Sequence, residues 1–407
     1  MNRCERDRNR WWISLGVILL NVGILVYYKY TNFFIQTFVD AFMLFGKELS
    51  VSTLSIILPV GISFYTFTAL SYSIDVYQRR VEPTKDILAY LAYVTFFPAI
   101  LSGPISRATK QLPQYFEKRV FKYDLAAKGL RMALWGLFMK LCVADRLGIY
   151  VDAVYANVPQ HNGTTLLFAS VLYTIQIYCD FAGYSLMAIG CSNLFGIGLQ
   201  TNFIRPYFAK FVTDFWRRWH ISLTTWFRDY IYFPLGGNRV SKSRWILNIM
   251  VVFLVSGIWH GAAYNFIIWG VIHGWLLVAE KLVYGEKLKQ VESKITLTNV
   301  LRIVVTFTLV SFSWIFFRVD IETAFTIISK IFTTQGALFV DASTLIYGFF
   351  CLFVLMFKDF KDEFFGGKAR FFSSDSLVVR WVCYIITIMM ILLLGVLQGS
   401  SFIYFQF

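Results

Sequence analysis

The stretch Leu254-Val255-Ser256-Gly257-Ile258-Trp259-His260-Gly261-Ala262-Ala263 lies inside an apolar run from Ile246 to Trp269. Such a run reads as membrane-buried helix, because a bilayer crossing takes roughly 20 apolar residues. His260 is one of only four histidines in 407 residues. An ionisable side chain at lipid depth is costly and marks a functional-site candidate. Imidazole is also the side chain best matched to moving a proton near neutral pH. The pairing suggests an intramembrane enzyme rather than a passive channel or anchor.

Working outward, the whole chain has the same character. It is 57% hydrophobic and 15% charged, with a mean hydropathy of +0.59. Soluble domains carry about 25% charged residues, so the composition is that of an integral membrane protein. Apolar segments at 11–30, 53–74, 87–105, 126–147, 164–190, 245–260, 263–280, 298–317, 343–357 and 378–397 predict an all-α polytopic bundle of about ten helices. One integral membrane domain over 1–407 is expected. The segments are continuous rather than alternating with period two, which excludes a β-barrel.

The net charge of +14 might suggest nucleic acid, but the charges lie in loops and flanks. There they read as a topology signal or a contact with anionic lipid, and no nucleic-acid partner is expected. Six cysteines (4, 142, 179, 191, 351 and 383) show no C-x-x-C spacing and predict packing thiols. The four arginines of residues 1–10 precede a run that lacks a small-residue cleavage site. It predicts a retained first helix rather than a signal peptide.

Lys and Arg set the orientation. The N-terminus, 79–85, 107–122, 205–244, 281–294 and 358–370 all collect basic residues and go to the inner face, whereas 148–163 has none. This works only if 87–105 turns back, and Pro98 and Gly103-Pro104 supply the breaks. A re-entrant or broken segment is therefore expected there, tolerable only where buried in protein or lining a cavity. A multi-pass protein of the inner or plasma membrane follows.

The densest motif runs from Asp214 through Phe215-Trp216-Arg217-Arg218-Trp219-His220 to Arg228 and Gly237. At helical spacing, Phe211, Phe215, Trp219 and Leu223 form one apolar stripe, with Arg217, Arg218 and Arg228 elsewhere. One reading is an interfacial amphipathic helix anchored by aromatics and arginines. The other is a donor mouth in which arginines grip phosphate while Trp216 and Trp219 stack on a base. The two are compatible. His220 reads either as part of that mouth or as a surface imidazole near the headgroups. His273 serves either a neighbouring-helix hydrogen bond or catalysis, and His161, in a hydrophilic loop, is solvated. For His260 the competing reading is a structural bond between helices; it lies about 22 Å along the helix from Trp245. Asp75 and Asp180 are buried polar candidates. Asp180 would orient a histidine or a substrate hydroxyl, or pair with an arginine. No metal site, nucleotide-binding fingerprint or hydrolase elbow is present.

These motifs together resemble the membrane-bound O-acyltransferase family, in its bacterial alginate O-acetylase-like branch. The resemblance rests on Phe215 to Tyr230, Pro234-Leu-Gly-Gly-Asn238 and Ser256-Gly-Ile-Trp-His-Gly-Ala262. Gly61 to Phe67, Leu70 to Tyr77, Phe97 to Ile105, Ala144 to Leu147, Gln176 to Tyr184 and Asn202 to Tyr207 support it, in order over about 55–320. It implies helices enclosing a central funnel, with His260 as the essential histidine and His220 on the donor side. It implies acetyl transfer from cytoplasmic acetyl-coenzyme A, with no bound cofactor, toward an extracytoplasmic polysaccharide. A serine-hydrolase-like secreted or membrane-anchored partner is implied as well. Such proteins usually begin with further apolar segments, so a shortened N-terminus is expected here. D-alanyl transfer to teichoic acid from a carrier protein stands as the alternative within the class. A polysaccharide or lipid transporter stands outside it, although transport leaves the histidine motifs unexplained and no internal repeat supports it.

Overall fold

The computed structural model describes residues 7–47, 49, 51–285, 288, 294–366, 371–399 and 402–403, so Cys4 lies outside the described residues. Among these every regular element is a helix. In order the helices are α1 (Asp7–Leu44), α2 (Ile62–Tyr77), α3 (Ile87–Val94), α4 (Ala108–Gln111), α5 (Tyr123–Phe138), α6 (Asp145–Tyr155), α7 (Gly163–Leu194), α8 (Val212–Arg218) and α9 (Ile221–Phe227). Then come α10 (Lys242–His260), α11 (Tyr264–Tyr284), α12 (Leu297–Arg318), α13 (Ile321–Thr333), α14 (Ala342–Phe364) and α15 (Leu377–Leu394). Among the described residues, seven helices are long and apolar enough to cross a membrane: α1, α7, α10, α11, α12, α14 and α15. A π-turn, Met139–Ala144, joins α5 to α6 in one continuous helical stretch.

Most expected segments appear with shifted ends. The first helix runs on to Leu44, since Lys29 to Asn32 are polar but compatible with a helix. The 53–74 segment is helical only from Ile62. Pro59 lacks a donor, and Gly61 sits at φ +75 where a Cβ would strike the Ile100 carbonyl. The 87–105 segment is broken as the charge pattern requires, with α3 ending at Val94 and 95–107 irregular. That irregular backbone is largely buried, and its carbonyls find donors: Tyr93 Oη reaches Ser106 O at 3.2 Å and Gln200 Nε2 reaches Ile105 O at 2.9 Å.

Two close helix pairs carry the core. α5 and α7 meet through Gly129 against Gly190 and Gly136 against Gly183, where any Cβ would meet the opposite backbone. Without a hydrophobic drive between helices in lipid, such small residues allow the backbones to pack. α10 and α11 form the second pair. Outside it, α13 lays Ala324, Ile327 and Ile331 inward and is capped by Asp320, whose carboxylate accepts from Thr323 N at 2.9 Å. The cysteines at 142, 179 and 351 are buried, those at 191 and 383 partly so, and all five are free thiols.

Candidate active site

The α10–α11 hairpin fixes His260. A Cβ on Gly257 would run into the Phe266 carbonyl, and one on Gly270 into that of Phe253. This close approach turns the last residue of α10 into the bundle, where His260 is only 4% exposed. Its ring lies 4.9 Å from Trp259, 5.0 Å from Trp269 and 5.2 Å from Phe317.

The basic aromatic motif is not one interfacial helix. α8 stops at Arg218, and His220 adopts a left-handed backbone (φ 42, ψ 53) before α9 begins. For a non-glycine residue that conformation costs about 1–3 kcal/mol and persists only where surroundings hold it. Asn202 does the holding: its carbonyl accepts from Ile221 N at 3.0 Å, and its Oδ1 accepts from Ser222 N and Oγ at 3.2 and 2.9 Å. The kink drives Trp219 and His220 inward, so of the two readings of His220 the surface imidazole is overturned; it is fully buried. Lying between the helices, its imidazole has its pKa pushed by burial down to about 3, which keeps it neutral.

The result is a row of alternating rings. His220 lies 6.2 Å from Trp259, which touches His260; His260 touches Trp269, which lies 4.9 Å from His273. His273 is tied to α12 through Ser313 Oγ at 2.8 Å, and Ser313 in turn donates to Val310 O at 2.7 Å. The serine proton is thereby used, so Nε2 of His273 is the donor. The indole N–H groups of Trp216, Trp259, Trp269 and Trp314 are buried around this row without an acceptor. Buried unsatisfied donors of this kind are rare and call for an explanation.

At the end of the bundle that the basic stretches assign to the inner face, α5, α7 and α14 flank an open cavity of about 400 Å³. Lys128, Arg131, Arg205 and Lys358 line it, with Asp359 and Asp362 as the acidic members. Its wall at Asn202 and Phe203 is one ring layer from His220, since Phe203 and His220 stack at 6.4 Å.

The remaining candidates disperse. Neither tryptophan lines that cavity: Trp216 packs on Trp269 and His273 in the interior, while Trp219 packs on Trp314 and, at 5.0 Å, on the wall residue Phe203. Arg218 pairs with Asp214 at 3.0 Å and with Glu363 at 2.9 Å, and Glu363 also holds Arg205, a cavity residue. Arg217 and Arg228 are exposed, with Arg228 on Asp229 at 2.8 Å. Asp180 contacts Lys140 at 2.6 Å and accepts from Ile403 N at 2.9 Å. The hydrogen bonds of Asp180 thus go to a lysine and a backbone amide. Asp75 pairs with Arg80 at 3.4 Å. His161 lies partly covered, 5.2 Å from Phe339. Sequence reasoning missed Lys29 and Lys140. The rule that selects His260, an ionisable group at lipid depth, applies equally to both.

A polytopic helical membrane protein with buried, aromatic-caged imidazoles beside a basic inner cavity is the class these features define. Residues 11–317 match the model of the membrane-bound O-acyltransferase family, and the chain belongs to that family. It is 39% identical to the probable alginate O-acetylase of Pseudomonas aeruginosa over 76% of this chain and 58% of that protein. With the peptidoglycan O-acetyltransferase of Helicobacter pylori it shares 34% identity over 80% of this chain and 66% of that one. The teichoic acid D-alanyltransferase of Bacillus subtilis is 30% identical over 63% and 68% respectively. The chain spans 57–60% of the length of the first three alginate O-acetylases it matches.

Proposed function

We propose that the chain is an O-acyltransferase that moves an acetyl group from acetyl-coenzyme A at the inner face toward a hydroxyl of an extracytoplasmic polysaccharide. The observation that carries this reading is His260, caged by Trp259 and Trp269 and linked through Trp259, His220 and Phe203 to the wall of a basic cavity. The names of the more similar relatives, O-acetylases of alginate and peptidoglycan, favour acetyl over D-alanyl transfer. A serine-hydrolase-like partner that passes the acetyl group to the polymer fits the same scheme.

In the proposed step, neutral His260 accepts the proton of the attacking hydroxyl as its oxygen bonds to the thioester carbonyl carbon. Charge then develops on the carbonyl oxygen, and the buried N–H groups of Trp259 and Trp269, whose rings pack on His260, receive it. Collapse breaks the carbon–sulfur bond, and the imidazolium returns its proton to the departing thiolate. His220, held in its strained backbone one layer from the cavity, positions the acyl end of the donor. The cations of the cavity hold the donor phosphates; Arg218 belongs to its wall through Glu363, while Arg217 and Arg228 add to the positive field.

The test compares wild type with His260→Ala at matched membrane expression, reading acetyl ester released from surface glycans by mild base. Loss in the variant alone supports the reading. Equal ester in both sinks it, and ester in neither moves the reading to another acyl group.

A further inference from the structure

We propose that Lys29 of α1 is a positioning residue for His260, acting together with Tyr30 as a cross-helix cap on the end of α10. The inference rests on the reading of His260 as the proton-accepting group.

The last four carbonyls of a helix have no intrahelical partner. In α10 these belong to Gly257, Ile258, Trp259 and His260. At a helix end in water, solvent serves them; at lipid depth protein groups must. Gly261 N covers the Gly257 carbonyl at 3.4 Å. Tyr30 Oη donates to Ile258 O at 2.8 Å. Lys29 Nζ donates to Trp259 O at 2.7 Å and to His260 O at 3.0 Å. The cap is thus completed by two adjacent residues 228–231 positions away in the chain.

A neutral donor would meet the hydrogen-bonding need. A cation does more, because it also faces the negative end of the helix dipole, and Lys29 lies 5.8 Å from the Trp259 ring. The two carbonyls it grips belong to the residues whose rings form the centre of the row. Beyond them the chain leaves the helix at once, Gly261 being extended. No helical turn continues directly from His260 to hold its carbonyl, so Lys29 fixes the backbone from which the imidazole hangs, in addition to the α10–α11 contact. A misplacement of about 1 Å is enough to cost a reaction around a hundredfold.

Inverted membrane vesicles containing the full chain, given acetyl-coenzyme A labelled in the acetyl group, test this through initial rates at varied donor. Lys29→Met is expected to lower kcat about tenfold to a hundredfold with donor KM unchanged, because the cavity is built from other helices. Lys29→Arg, which keeps a cationic donor, is expected to recover most of that loss. Tyr30→Phe is expected to lower kcat by a smaller factor in the same direction. Full kcat in Lys29→Met, with His260→Ala inactive, overturns the inference while leaving the underlying reading intact. Activity in His260→Ala overturns both. Should Lys29→Met fail to insert, Tyr30→Phe decides: reduced kcat at unchanged KM supports the cap, and wild-type kcat overturns it.

Discussion

Lys140 Nζ stands 2.6 Å from Asp180 Oδ1, joining the middle of the α5–α6 stretch to the middle of α7. Asp145 completes the group, its Oδ1 2.7 Å from the same nitrogen. Residues five apart on an α-helix differ by about 500° and face apart. The π-turn between α5 and α6 widens the helix locally, so that Lys140 and Asp145 share one face.

Removing the cation from this group leaves two buried carboxylates close together. Breaking a buried pair by deleting one partner costs about 3–5 kcal/mol. Lys140→Met is therefore expected to lower the thermal midpoint in detergent sharply and to reduce the monodisperse yield. Asp180→Asn, which keeps an acceptor for Lys140, is expected to cost less. If Asp180 serves only this triad, activity per folded molecule survives in Asp180→Asn, as transfer rates normalised to folded protein would register.

His273 and Ser313 give a contrasting case. The imidazole belongs to the ring row, yet its Nε2 is taken up by Ser313 on α12. Ser313→Ala would leave that donor buried and unpaired, at a cost of about 1–3 kcal/mol. The expected outcome is a lower melting point with transfer per folded molecule largely kept. A greater loss of rate than of folded protein would place His273 in the chemistry.

The long apolar helices were legible because a bilayer demands continuous apolar length, and α10 and α11 emerge within four residues of the expected ends. α13 was overlooked because its 13 residues are too few to span, although Ala324, Ile327 and Ile331 repeat at helical spacing. The kink at His220 was not legible. Phe211, Phe215, Trp219 and Leu223 fit a continuous helix, and the break depends on Asn202, which reaches it only through tertiary contact. For the same reason the buried faces of Trp216 and Trp219 looked available for stacking: aromatic spacing does not say what lies opposite. The cavity cations come from three separate stretches of chain, whose convergence no local pattern encodes.

Gly257 tests whether His260 depends on the α10–α11 approach. An alanine there must displace the Phe266 carbonyl or part the helices. Forcing extra volume into close packing typically costs about 1–3 kcal/mol. Gly257→Ala is expected to lose most acetyl transfer while still inserting, since the shift falls one turn before His260. Wild-type rates at matched expression would mean that the imidazole tolerates this displacement.

The donor should separate contact charges from distant ones. Arg131 lines the inner cavity and donates to the Phe372 carbonyl at 3.1 Å at its rim. Arg228 is exposed, paired with Asp229, and does not line the cavity. Losing a direct charge-assisted phosphate contact removes about 1.5–3 kcal/mol of binding, roughly tenfold or more in affinity. Arg131→Gln is therefore expected to raise the KM for acetyl-coenzyme A about tenfold with kcat little changed. Arg228→Gln acts only through the field and should give a smaller rise that fades with salt, because the Debye length shrinks to about 3 Å at 1 M. Initial rates at two ionic strengths resolve the pair. If Arg228→Gln instead produces the larger and salt-insensitive effect, the donor sits against the α9 end and not in the cavity.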